Sequence, residues 1–204
     1  MARTRAGLLD GALSVIEREG LRRLTMSAVA NRSGVAKATL YNHFRTKDDV
    51  VRELVRREIG LLADDALSAS ERAAVAGQSP DAAAVAGLTR AAADLADHVA
   101  GRRVAQEDPG GLATLLSFTE GGSWQLARSR LAALLGVPPE SAVVPLAAGW
   151  LLGQLFDPQP ATVRARTAAL VVAAAREESR LGPAVAVGQV EAPAPGDVLP
   201  PGTD

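Results

Sequence analysis

The 204-residue chain contains no cysteine, which excludes a disulfide framework, a thiolate zinc site and a cysteine nucleophile together. Histidine is nearly as scarce: His43 and His98 lie far apart in sequence, leaving no histidine cluster to hold a metal ion. Long hydrophobic runs are also missing. The longest uncharged apolar stretch with a helical look, Val143 to Phe156, falls short of the roughly 20 residues needed to span a bilayer. The N-terminus, MARTRAGLLDGALS, has bases but no unbroken apolar segment, so no targeting peptide is predicted and the expected compartment is the cytoplasm. No Ser/His/Asp grouping at recognisable spacing and no phosphate-binding glycine loop is present. Asp64-Asp65 and Glu177-Glu178 are adjacent pairs that cannot both line one helix face. Neither an enzyme nor a bound cofactor is expected.

What the chain has in abundance is alanine, 41 of its 204 residues, against 3% aromatics. Alanine has the highest helix propensity, and 48% hydrophobic residues suffice for a core, so an all-α fold is predicted. The formal net charge of −1 hides a strong asymmetry. Residues 1–47 carry nine Lys or Arg and three acids, a net +6, while the remainder has 13 bases and 20 acids, a net −7. Such a split suggests a basic head that meets a polyanion and an acidic body with another task.

The periodicity places a first helix over about 4–19, with Leu9, Ala12, Leu13 and Ile16 at i, i+3, i+4, i+7 and Gly20 as its terminator. Thr25 caps a second helix carrying Met26, Val29 and Ala30, and Gly34 breaks it. A third helix over about 37–44 turns Leu40 and Phe44 inward, and Thr46 with Asp49 forms a capping box for a long fourth helix that runs to about Leu67. Further helices are predicted near 80–104, 110–118, 123–135, 140–156 and 161–181, about nine in all. The Val143 to Phe156 helix is apolar nearly all round and is expected to be buried between others, with Gly149 and Gly153 admitting a close neighbour. The last 22 residues hold five prolines, three glycines and no base, a composition expected to remain disordered. The expected organisation is therefore a three-helix head over 1–47, a helical body over 48–182 and a tail over 183–204.

Two short helices joined by a glycine turn, TMSAVANRSGVAKATLYNHF, have the layout of a helix-turn-helix. With Leu40 and Phe44 facing inward, Ala38 and Asn42 point outward, flanked by Thr39 and His43 on one side and by Lys37 and Tyr41 on the other. That face is short, polar and basic and would fit a DNA major groove about 12 Å wide. An ordinary helical hairpin with a solvated face has the same spacing.

The stretch from Leu9 to Val50 resembles the DNA-binding domain of TetR/AcrR-type transcriptional regulators. The resemblance is carried by Glu19-Gly20, Leu24-Thr25-Met26-Ser27, Ser33-Gly34-Val35, Thr39-Leu40-Tyr41-Asn42-His43-Phe44 and Lys47-Asp48-Asp49-Val50. It implies that Thr25 and Ser27 touch operator phosphates, and that Lys37, Ala38, Thr39 and Asn42 meet base edges or a thymine methyl. It further implies that Tyr41 and His43 bind phosphate oxygens and that Lys47 adds a charged phosphate contact at the start of the fourth helix. The chain departs from the family at Ala36, where a helix-capping serine is common.

The same resemblance implies a body that binds a small-molecule effector and forms a homodimer through a four-helix bundle of the last two helices. Here these are the Val143 to Phe156 and Thr162 to Leu181 segments, the latter with Val163, Thr167, Leu170, Val171 and Ala174 on one face. The scarce large or titratable side chains of the body, His98, Arg102, Phe118, Trp124 and Trp150, are candidates for an effector pocket. The expected function is that of a dimeric repressor released from a palindromic operator by a small molecule, with no membrane partner. The alternative is a small-molecule-binding or scaffold helical protein whose helix-turn-helix no longer reads DNA.

Overall fold

The computed structural model describes residues 2–117 and 123–181; the expectations for Phe118 and for the 183–204 tail lie outside them. The described residues form ten α-helices and one 3-10 turn: α1 Ala2–Glu19, the turn Leu21–Arg23, α2 Met26–Arg32, α3 Lys37–Tyr41, α4 Lys47–Val75, α5 Pro80–Asp97, α6 Val99–Glu107, α7 Pro109–Ser117, α8 Ser123–Leu135, α9 Val143–Phe156 and α10 Ala161–Leu181. None of these helices is long and apolar enough to cross a membrane.

The local signals act where the sequence places them. Gly20 and Gly34 adopt φ values of 84° and 68°, which a side chain would strain, and so end α1 and make the turn after α2. Thr46 and Asp49 exchange both capping hydrogen bonds at the start of α4. Held by that cap, α4 runs for 29 residues, about 43 Å, from the head deep into the body.

Four expectations are corrected. The third helix stops at Tyr41 rather than Phe44, because the chain turns at Asn42–His43 to bury Phe44. The fourth helix, expected to end near Leu67, continues to Val75. The single helix expected over 80–104 is two, because the His98 backbone leaves the helical region (φ −73°, ψ 92°) and its imidazole Nδ1 accepts the Gly101 amide at 2.9 Å, capping α6. Hence ten described helices rather than about nine. Finally, α9 is buried on one face only: Val144, Ala147, Leu151 and Leu155 are inside, whereas Leu146 is 59% and Phe156 51% exposed.

Two clusters of buried side chains organise the molecule. The first gathers Leu8, Ala12, Val15 and Ile16 of α1, Val29 and Ala30 of α2, Leu40, Phe44 and the first turns of α4, and it extends to Ala100 and Val104 of α6 and to Leu155. The second packs the far half of α4 with α5, α8, α9 and α10. Small residues set the spacing: a Cβ added at Gly87 of α5 would lie 2.8 Å from the Ala66 carbonyl of α4. Only a glycine allows that approach, which accounts for part of the alanine and glycine load of α5.

Candidate functional site

The helix-turn-helix is assembled from short-range interactions. The Thr25 hydroxyl accepts the Ala28 amide at 3.1 Å and fixes the start of α2. The Val35 amide donates to the Ala30 carbonyl at 3.1 Å, closing the turn through Gly34. α3 begins at Ala36, which offers no side-chain cap, so the packing of Leu40 (0% exposed) and Phe44 (2%) holds this helix in place. The Arg5 guanidinium covers the outer side of the Phe44 ring at 4.7 Å.

With those anchors inside, Lys37, Ala38, Tyr41 and Asn42 are exposed along one face of α3, and Thr39 and His43 are half-buried beside them. Thr25 is exposed and Ser27 half-buried at the amino end of α2. Tyr41 is 51% exposed, an unusual position for the chain's sole tyrosine unless its ring and hydroxyl serve a partner. Lys47 sits differently from the rest. Its ammonium donates to the Leu21 carbonyl at 3.1 Å and is half-buried, so it ties α4 to the turn after α1.

Sequence reasoning missed a clamp between head and body. Arg103 of α6 donates from one nitrogen to the Glu17 and Arg18 carbonyls at 3.0 and 2.9 Å, supplying a cation to the C-terminus of α1. Asp108, between α6 and α7, accepts Arg22 at 3.4 Å and the Gly111 amide at 3.1 Å. The Arg22 bond, the Gly111 amide and the nearby Lys47 charge together hold the Asp108 carboxyl below the ordinary aspartate value. Arg103 lies 86 and 85 residues from Glu17 and Arg18, and Asp108 86 from Arg22, and no local pattern announces those pairs.

A second link runs through α4. Arg57 donates to Asp10 of α1 at 2.7 Å and to Glu58 at 3.0 Å, while Glu58 meets His98 Nε2 at 3.3 Å. His98 Nδ1 accepts the Gly101 amide, so Nε2 carries the proton donated to Glu58. Burial raises the Glu58 pKa, but the bonds from His98 and Arg57 and the Arg57 charge outweigh it, leaving the carboxyl below its ordinary value. A carboxylate with a depressed native pKa stabilises the fold at neutral pH, and that contribution is lost as pH falls through the native value. Glu58→Gln is expected to lower stability at pH 7 by about 1–2 kcal/mol. The gap to the parent should close as the pH drops below 4.5, the ordinary glutamate value, which urea denaturation at several pH values will measure.

Behind the head lie two apolar cavities. One, of ≈ 110 Å³, is flanked by Trp124 and Arg130 of α8. The other, of ≈ 130 Å³, reaches Leu13 and Ile16 of α1 and is walled on one side by Glu58 and His98. Among the residues anticipated from sequence, Trp124 and His98 line cavities. Trp150 packs against the second cluster and Arg102 is half-buried on α6, and neither lines either of these two cavities.

Residues 8–54 match the family model of bacterial regulatory proteins of the tetR family. Over 70 residues the chain is 37% identical to the HTH-type transcriptional regulator BetI of Rhizobium meliloti, a match covering 34% of this chain and 34% of that protein. The chain therefore spans about a third of the length of that curated relative. Among solved structures, the fatty acid degradation regulator FadR of Bacillus halodurans superposes with a TM-score of 0.60 at 19% identity, covering 82% of this chain and 93% of the other. The TetR family repressor AlkX of a Dietzia strain gives 0.62 at 15% identity, covering 85% and 95%. At these identities the structural likeness speaks for the fold, and the family model for the head.

Proposed function

We propose that this chain, whose residues 8–54 match the family model of bacterial regulatory proteins of the tetR family, is an effector-responsive repressor that binds a palindromic operator as a homodimer. The reading rests on one observation above others: α3 presents Lys37, Ala38, Tyr41 and Asn42 outward on a scaffold fixed from behind by Leu40 and Phe44. Lys37 and Asn42 supply hydrogen-bonding groups for base edges, and Ala38 is small enough to pass a thymine methyl. Thr25, Ser27, Thr39, Tyr41 and His43 frame that face with groups suited to phosphate oxygens or sugar edges. Lys47 contributes by positioning the turn after α1, and its charge adds to the field of the head.

A single head reads few base pairs, so specificity calls for two heads one or more helical turns apart. Dimerisation is supported by the uncovered faces of α9 and α10. Of the nine large apolar side chains exposed among the described residues, Leu146 and Phe156 lie on α9 and Val163, Leu170 and Leu181 on α10. Gly149 and Gly153 meet nothing within 4 Å of where a Cβ would stand, leaving room for a second copy to pack closely. Val171 is 5% exposed and serves the core of its own subunit, so the outward edge of α10 is carried by Val163 and Leu170.

Residues 1–47 then form the reading head and 48–182 the effector-binding and dimerising body. α4 and α6 connect them through the Arg57–Asp10, Arg103–α1 and Asp108–Arg22 contacts. An effector that shifts either helix re-aims the head, and a coupling free energy of about 1–3 kcal/mol would weaken operator affinity roughly 5–150-fold. A mobility-shift titration with the DNA flanking its own coding region tests the reading. Salt-sensitive binding that unrelated DNA does not match is expected; an absent shift, or an equal one with any sequence, overturns it.

A further inference from the structure

The two cavities adjoin. Ile59, Leu62, Leu95 and Leu152 line both, so that end to end they trace one slot with these four side chains at its neck. Along α4 the lining runs from Leu54 to Leu67, about 20 Å of helix. The slot is therefore long and slender, and each lobe alone is small beside the roughly 300–1,000 Å³ of an ordinary ligand pocket.

Its polar side chains divide into two kinds. Glu58 and His98, at the end near α1, have their polar atoms engaged with Arg57, with each other and with the Gly101 amide, so that end asks nothing polar of a ligand. Arg130, in the Trp124 lobe, meets Asp64 at 3.7 Å, beyond hydrogen-bond reach, with the two side chains 43% and 65% exposed. A loose, half-exposed pair of this sort readily exchanges its carboxylate for another.

We infer that the slot takes a single linear aliphatic chain with an anionic headgroup, the head at Arg130 and the tail passing the neck to end under Leu13 and Ile16 of α1. This deepens the effector reading above and depends on it for its regulatory consequence. An extended alkyl chain advances about 1.3 Å per carbon, so 12 to 16 carbons reach roughly 15–20 Å, the rise of α4 from Leu54 to Asp64 or Leu67. A chain too short to pass the neck stays in the Trp124 lobe and leaves α1 untouched. One that passes it presses on the last turns of α1, beside the Glu17 and Arg18 carbonyls that Arg103 holds, so ligand length decides whether the head moves.

The test uses the full chain and straight-chain alkanoates of 6 to 16 carbons, with matched 1-alkanols and alkyltrimethylammonium ions, measured by titration calorimetry below their micelle concentrations. Alkanoate affinity is expected to rise about fourfold per methylene, levelling at 12 to 16 carbons. It should exceed that of the alkanol about tenfold, and Arg130→Ala should erase this difference. Leu62→Phe, or Leu95→Phe should the first not fold, is expected to spare the six- and eight-carbon chains and remove the gain of the longer ones. A flat length series, preference for the ammonium ions, or a carboxylate preference surviving in Arg130→Ala overturns the inference. Operator binding by the unliganded protein separates the two failures: DNA binding without alkanoate binding overturns this inference alone, and alkanoate binding without DNA binding overturns the regulator reading.

Discussion

Lys37→Ala combined with Tyr41→Phe is expected to weaken operator binding at least a hundredfold while leaving the fold intact. Both side chains are exposed on α3, so their removal opens no cavity, and the α-helical signal and melting temperature should stay near those of the parent. The loss counts twice because a dimer carries two heads. A base contact is worth about 1–3 kcal/mol, and a lost phosphate hydrogen bond adds about 1 kcal/mol. Lys37 is assigned to a base edge and Tyr41 carries no charge, so the slope of log affinity against log salt should stay near that of the parent. Fluorescence anisotropy over a range of salt concentrations measures both effects. Unchanged affinity would mean that the outward face of α3 is a solvated surface.

Gly149→Glu with Leu170→Glu is expected to produce a folded monomer with little operator affinity. Nothing in the subunit stands within 4 Å of a Cβ at Gly149, and Leu170 is 64% exposed, so one subunit tolerates both changes. In a four-helix interface the same changes bury uncompensated like charges, which costs several kcal/mol. Sedimentation equilibrium should show the mass of one chain for the variant and of two for the parent. Gel shifts should show operator binding weakened by orders of magnitude, because each head then binds without the other. A parent protein that sediments as a monomer would remove this interface from the account.

The head was legible in the sequence because its determinants are local. Gly20 and Gly34 need positive φ, Thr25 and the Thr46–Asp49 box cap within three residues, and Leu40 with Phe44 fixes the facing of α3. The body was legible only as a set of helices. The break at His98 left no trace in an alanine-rich run, because the imidazole provides the cap that Ser, Thr or Asp normally signals. The slot was invisible for a related reason. Leu62 and Leu95, which line space, follow the same apolar period as Leu88, which fills it. Uniform hydrophobicity likewise concealed that one face of α9 is exposed, since an uncovered apolar helix surface reads like a buried one. The Arg103 contacts with Glu17 and Arg18 and the Asp108 contact with Arg22 could not have been assigned at all, those partners being set by tertiary packing.

The most direct test of the account is a hydroxyl-radical footprint of the protein on the DNA flanking its coding region. Two protected patches on one face of the duplex, related by a two-fold axis and separated by one helical turn or a multiple of it, are the expected result. Protection of a single patch, uniform protection along the fragment, or none would contradict a dimer that reads a palindrome through α3.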